Sequence, residues 1–135
     1  MVAAGYKAID TLRLEKGYRY WSSEITPDYT PLEAGLGFAV KFNKGDFVGR
    51  GALLKQKEAG IRRKLCCLTL ADNRTEAIGK EPIRAGDKII GWVAAGGFGY
   101  SVGKSIIYGY LPVEFSKPGT ELMVEFFGEQ VGAVV

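Results

Sequence analysis

The sequence contains no histidine among its 135 residues. That excludes Ser-His and Cys-His nucleophile pairs, histidine zinc sites and any histidine general base. Cysteine is scarce as well: Cys66 and Cys67 are the only two, adjacent in an apolar run. Neighbours in a strand point to opposite faces, so a bridge between them is geometrically poor, and the pair reads as buried free thiols. Free thiols fit a reducing, cytoplasmic compartment. No apolar run reaches the roughly 18 residues of a membrane helix, and no signal peptide is visible. Charge of one sign is also lacking: 18 Lys+Arg against 15 Asp+Glu leave +3, too little bias to imply nucleic acid.

What the chain has is a globular balance, 47% hydrophobic and 24% charged, with 19 glycines, about twice the usual frequency. At this length one domain of ordinary size is expected. Ala3 to about Glu15 reads as a helix with Ala8, Ile9 and Leu12 on its core face and Gly17 to stop it. The segment from Tyr18 to Pro31 carries Tyr18, Tyr20, Trp21 and Tyr29 without clean periodicity and reads as a packed aromatic loop. A short strand is expected over Gly35 to Phe42. A second helix follows, with Asp46 as N-cap, Phe47, Val48, Gly51 and Leu54 as its apolar side, and Gly60 as terminator.

From Arg62 onward the period changes to two. Arg63–Leu70 reads as a strand apolar on nearly both sides. Pro82–Ala85 and Lys88–Ala95 form a hairpin across Gly86-Asp87, Tyr100–Leu111 is a long strand, and Leu122–Phe127 with Gln130–Val135 closes a hairpin through a type II′ turn at Gly128-Glu129. The fold class is therefore α+β, mainly β: a small antiparallel β-barrel or sandwich preceded by two helices and an aromatic loop.

Four constellations carry possible chemistry. Residues 97–105 end in Gly-Lys-Ser like a phosphate-binding loop. That loop needs four residues between its outer glycines, whereas Gly97 leaves five before Gly103 and Gly99 leaves three. The following Ile106-Ile107-Tyr108 is strand-like, so this is a glycine-rich bend between strands. Arg13 and Glu15 lie at the end of the first helix, either as a local ion pair or as a positioned guanidinium for an anionic or heteroaromatic ligand. Glu15, Glu24, Asp28 and Glu33 stand among aromatics that could stack on a flat ligand, or could be a core with a wet rim. Arg62-Arg63-Lys64, with Lys55 and Lys57, reads as a solvated face.

The blocks have a recognisable order. Residues 5–17, GYKAIDTLRLEKG, resemble the A-x-D-S/T-L-R-L-E-x-G segment of the aminomethyltransferase family, the glycine-cleavage T protein and its relatives. TPLEAGL at 30–36, DFVGRGAL at 46–53 and AGGFGYSVG at 95–103 resemble its following blocks. Tyr100-Ser101, with Glu81-Pro82-Ile83 before it, is closer to the branch fused to FAD-dependent dimethylglycine and sarcosine dehydrogenases.

This resemblance implies that residues 1–61 are the tail of a folate-binding core with a linking helix, and that residues 62–135 are the family's C-terminal β-barrel. It implies one-carbon transfer to tetrahydrofolate in full-length relatives, with FAD only on a fused or partner domain. Arg13 matches the family arginine near the folate; Glu15 and Tyr18 adjoin it, and Trp21 completes the candidate set. The catalytic aspartate of relatives lies upstream of this segment, so no catalytic residue and no metal ligand is assigned. The chain is expected to be a C-terminal part clipped at both ends, inactive alone, pairing with the missing folate-binding half or a dehydrogenase partner and prone to homo-oligomerise. A folate- or pterin-binding or partner-docking module without turnover, or a relative of folate-dependent tRNA-modifying proteins, is the alternative.

Overall fold

The computed structural model describes residues 5–135. Two helices, α1 (Tyr6–Lys16) and α2 (Arg50–Ala59), precede six strands: β1 (Arg63–Leu70), β2 (Pro82–Ala85), β3 (Lys88–Gly99), β4 (Lys104–Pro112), β5 (Glu121–Phe126) and β6 (Glu129–Val134). The strands close a barrel in the order β1-β4-β3-β2-β5-β6, every pairing antiparallel. Closure leaves no free sheet edge, which suits a sheet this small. The α+β, mainly β class and the barrel are as the alternation of apolar residues led one to expect.

Two apolar clusters explain why β1 is apolar on both sides. One fills the barrel, with Leu68, Ile83, Val93, Ile107, Leu111 and Val124 at 0–1% exposure. The other lies on the outer wall, where Leu65, Ala95, Ile106, Tyr108 and Tyr110 meet Leu14 and Ala34 from the segment before the barrel. Adjacent residues of β1 and β4 thus serve different cores, as the two faces of a strand must. The side chains of Cys66 and Cys67 part in the same way. Cys66 is buried in the barrel and its thiol is pushed up by burial, but Cys67 is exposed, so only one of the pair is a buried thiol.

Other expectations shift. Gly17 does end α1, in the left-handed conformation at φ 69°, with its own and the Tyr18 N–H bonded back to the Leu14 and Arg13 carbonyls. The expected start at Ala3 lies outside the described residues. Its expected core face is wrong: Ala8, Ile9 and Leu12 are exposed, and Leu14 is the buried residue. The stretch from Gly35 to Phe42 is not a strand but turns leading into a 3-10 turn at Gly37–Ala39, because the barrel closes without it and Gly35 sits at φ 70°. α2 begins at Arg50 behind Gly49 at φ 88°, with no side-chain cap, so Asp46 does not cap it. None of its residues is buried, and Val48 is fully exposed.

β3 runs on to Gly99 and β4 starts only at Lys104, since residues 100–103 form the turn closed by the Gly103 N–H on the Gly99 carbonyl at 2.8 Å. The Gly-Lys-Ser segment is thus a bend between strands. In the last hairpin Phe126 pairs with Glu129, and Phe127 and Gly128 lie at φ 49° and 88°. Two positive φ values make a type I′ turn one residue earlier than the expected II′.

Candidate functional site

Arg13 leaves α1 one residue before the buried Leu14, and this places its side chain at the seam between helix, aromatic loop and barrel wall. Its Nε donates to Asp10 Oδ1 at 2.8 Å, three residues earlier on the same face, and its Nη1 donates to Glu24 Oε1. Glu24 is 1% exposed, and its other oxygen accepts the Tyr20 N–H at 2.8 Å. The guanidinium also lies 5.7 Å from the centroid of the Tyr20 ring. Burial works against the charge of Arg13, but the two carboxylates outweigh it and hold its pKa above the ordinary value. A guanidinium held by two carboxylates is fixed in plane, which is what bidentate or stacked recognition requires.

Around Arg13 a pocket of about 110 Å³ opens between Tyr6, Ile9, Asp10, Tyr18, Arg19 and Tyr20. The Tyr6 hydroxyl donates to the Tyr20 hydroxyl at 3.4 Å, a contact that raises the Tyr6 pKa. Tyr18 stands 68% exposed at its rim. Of the four residues singled out from sequence, the structure gathers Arg13 and Tyr18 here. Glu15 points elsewhere: its Oε1 accepts the Ser101 N–H at 2.7 Å and holds the β3–β4 turn against α1. Trp21 is exposed, bridges to Ile25, and does not line the pocket. Sequence reading passed over Tyr6, Asp10 and the role of Glu24. The i, i+3 spacing of Asp10 and Arg13 was available as a signal; the burial of Glu24, eleven residues on, had none.

The remaining acids are structural. The Glu33 carboxylate accepts the Thr30 N–H at 2.9 Å and pairs with Arg63 Nε at 3.0 Å, while its own N–H donates to the Thr30 hydroxyl at 3.2 Å. Burial opposes ionisation of Glu33, but the Thr30 and Arg63 donors outweigh it and its carboxyl titrates below the ordinary range. Asp28 accepts from the Thr26 hydroxyl at 3.2 Å. Arg63 is thereby drawn out of the basic run to lie 4.4 Å from the centroid of the Tyr29 ring. Among the described residues no three metal-capable side chains converge, and no helix is long and apolar enough to cross a membrane.

Comparison with known proteins adds what the geometry cannot. Residues 63–135 match the glycine cleavage T-protein C-terminal barrel domain, and residues 1–44 match the GCVT N-terminal domain. The chain is 42% identical over 132 residues to mitochondrial dimethylglycine dehydrogenase of Rattus norvegicus, covering 97% of this chain and 15% of that protein. It is 40% identical over 132 residues to the aminomethyltransferase of Caldanaerobacter subterraneus subsp. tengcongensis, covering 98% of this chain and 35% of the enzyme. The crystal structure of glycine cleavage system aminomethyltransferase T from Bartonella henselae superposes with a TM-score of 0.91 at 32% identity, over 98% of this chain and 37% of that one. The chain thus spans little more than a third of the transferases it matches and a much smaller part of the dehydrogenase. It belongs to the glycine cleavage T-protein family, and its strands form that family's C-terminal barrel.

Proposed function

We propose that the chain is the C-terminal portion of a tetrahydrofolate-dependent aminomethyltransferase, acting in one-carbon transfer during glycine, sarcosine or dimethylglycine breakdown and inactive by itself. Residues 1–61 would be the tail of the folate-binding core and residues 62–135 the barrel. The observation that carries this reading is the outer face of α1. Tyr6, Ile9 and Leu12 recur at helical spacing and are 57–68% exposed, beside exposed Tyr18 and Tyr20. An apolar stripe facing water on a helix whose opposite side is already packed marks a surface made to be covered. Its cover would be the folate-binding half that makes up most of the length of the transferases.

Arg13 is central to that surface. A pocket of about 110 Å³ is smaller than the roughly 300–1,000 Å³ of sites that enclose a ligand. It would therefore be one wall of the folate site, Arg13 and Tyr18 facing the flat ring system and the folate-binding half closing the other side. Glu15 would act from behind, by fixing the turn that supports α1, whereas Trp21, outside the pocket lining, keeps no part in it. Tetrahydrofolate would be the acceptor of the one-carbon unit, and any FAD would sit on a fused or partner domain. The carboxylate needed for proton transfer would come from the folate-binding half, since the acids of this chain around Arg13 are committed to ion pairs and backbone donors.

Co-expression with the N-terminal portion of a full-length transferase tests the reading. A stable one-to-one complex that binds tetrahydrofolate in calorimetry, with binding weakened by Arg13→Ala, is the expected outcome. A chain that stays alone in the mixture, or a complex whose affinity ignores Arg13, would overturn it. Light scattering on the chain alone reads whether a second copy covers the same face; substitution of Leu12 by serine should then release monomers.

A further inference from the structure

On the barrel wall away from the α1 pocket, a cleft of about 300 Å³ opens where β3 and β4 part company. The two strands pair from Val93–Gly109 to Gly99–Lys104 with a bulge between Val93 and Ala95, and the cleft lies beyond that register, between 89–92 of β3 and Tyr110 and Pro112 of β4. Gly91 is required there, since a Cβ would collide with the Tyr110 carbonyl. The close approach at Gly91 makes the floor, and the walls are flat and mostly apolar. Trp92 is 55% exposed, and Tyr29 stacks on Tyr110 with centroids 3.5 Å apart and planes 1° from parallel.

Among the described residues Arg63 is the sole charged side chain lining this cleft. Its Nε is held by Glu33 and its Nη2 by the Asp28 carbonyl, which leaves Nη1 without an acceptor among the described residues. The arginine is 43% exposed whereas Glu33 is 9% exposed, so the carboxylate neutralises it from the inner side and its outer side is open. A guanidinium already fixed in plane loses little further freedom on binding a second anion.

We propose that this cleft is a binding site for a small planar aromatic carboxylate, its ring against Trp92 and the Tyr29–Tyr110 stack and its carboxylate on Nη1 of Arg63. The sign of the ligand follows from the lone cation, its flatness from the walls, and its size from a volume at the low end of ligand sites. Asp28 and Ser23, beside Trp92 in the adjoining smaller cavity of about 180 Å³ that Lys80 also lines, would accept a donor substituent on the far side of the ring.

Fluorine NMR on the full chain labelled with 5-fluorotryptophan tests this, because Trp21 and Trp92 are the only tryptophans and Trp21→Phe assigns the two signals. The probes are 2-naphthoate and its uncharged counterpart 2-naphthamide. Naphthoate should move the Trp92 signal alone and saturate below about 10 mM, with the amide weaker by about tenfold, the effect expected of one charge-assisted pair. Arg63→Lys should give an intermediate affinity, and Arg63→Met should bring naphthoate down to the amide. The carboxylate–amide comparison needs no substitution, so it stands even where Arg63→Met impairs folding. Equal affinity for the two probes, parallel movement of both tryptophan signals, or no saturation by about 50 mM would each overturn the proposal.

Discussion

The barrel and the segment that precedes it are built from similar residues and held together differently. Inside the barrel, Leu68, Ile83, Ile107, Leu111 and Val124 bury completely against one another, supplied by β1, β2, β4 and β5. The preceding segment buries Leu14 and Ala34 and leaves Tyr6, Ile9, Leu12, Tyr18, Trp21 and Phe38 more than half exposed. Beyond the apolar cluster around Leu14 and Ala34, its attachments to the wall are polar. The Tyr108 hydroxyl donates to the Leu14 carbonyl at 2.9 Å, the Tyr110 hydroxyl to the Glu24 carbonyl at 2.8 Å, and Ser23 Oγ to the Ala94 carbonyl at 3.1 Å. Burial by area is the larger and less directional contribution, whereas each hydrogen bond adds about 1 kcal/mol net. The difference teaches that the barrel supplies its own core, while the lead-in is pinned to it by a few oriented contacts and keeps its apolar side outward.

The largest effect is expected inside the barrel. Ile107→Ala removes a side chain at 0% exposure and should cost about 2–5 kcal/mol. Denaturant midpoints read by circular dichroism would check it. Leu14→Ala, at 2% exposure, should instead loosen the lead-in with most of the barrel's hydrogen-exchange protection retained. Loss of barrel protection equal to that in Ile107→Ala would break the comparison, by showing one cooperative unit where the packing indicates two.

Next comes the Arg13–Glu24 pair. Glu24→Ala leaves a guanidinium at 14% side-chain exposure with Asp10 as its one carboxylate among the described residues, beside the Tyr18 carbonyl at 3.4 Å, and strips the Tyr20 N–H of its acceptor. Removing one partner of a buried pair costs about 3–5 kcal/mol, and the surviving Asp10 contact should hold the loss to about 2 kcal/mol. Glu24→Gln keeps the acceptor for Tyr20 and should cost less. A thermal shift equal for the two variants would mean that the hydrogen bonds contribute nothing beyond the charge.

The same contrast governs what could be read beforehand. The barrel was legible because period-two alternation and glycine-bounded runs are local signals: β1 and β2 have the expected bounds, and the other four strands of 63–135 emerged with ends displaced by a few residues. The lead-in was less so. Leu12 carries the same apolar signal whether its face meets the barrel or a surface outside the chain, so periodicity assigns Ala8, Ile9 and Leu12 to the core side although they are exposed. Asp46 is a sound cap by type, yet Gly49 in the left-handed conformation starts α2 three residues later. At the candidate site Arg13 and Tyr18 could be chosen by motif. The commitment of Glu15 to Ser101, 86 residues away, is a tertiary fact that no local pattern records. Phe127 shows the same limit: an aromatic at φ 49° is a poor guess for a type I′ turn, and the register of β5 with β6 overrides the preference.

A smaller effect tests the polar pins by pH. Glu33 has a folded-state pKa below its ordinary 4.5, so it contributes stability above that value and loses it as pH falls through the lower folded-state value. Wild-type melting temperature should therefore decline more steeply than that of Glu33→Gln as pH drops below about 4.5. At neutral pH the variant should already be less stable, by about 1 kcal/mol. Parallel acid limbs would mean that the Thr30 and Arg63 donors do not hold this carboxylate ionised in the folded chain.

The smallest expected effect is on the outer face of α1, and it sharpens the comparison most. Leu12→Ser changes a side chain at 57% exposure that packs on neither cluster, so the stability of the monomeric chain should move by less than about 0.5 kcal/mol. Serine is also a weaker helix former than leucine, which accounts for part of any loss. If the face is built to be covered, the same substitution should weaken association with the folate-binding portion by far more than it changes the fold. A deeply buried leucine behaves in the opposite way: its loss is felt in the chain alone. Finding Leu12→Ser as costly as Leu14→Ala in the isolated chain would place Leu12 in a core of its own, and the outward stripe could no longer be taken as the mark of a missing partner.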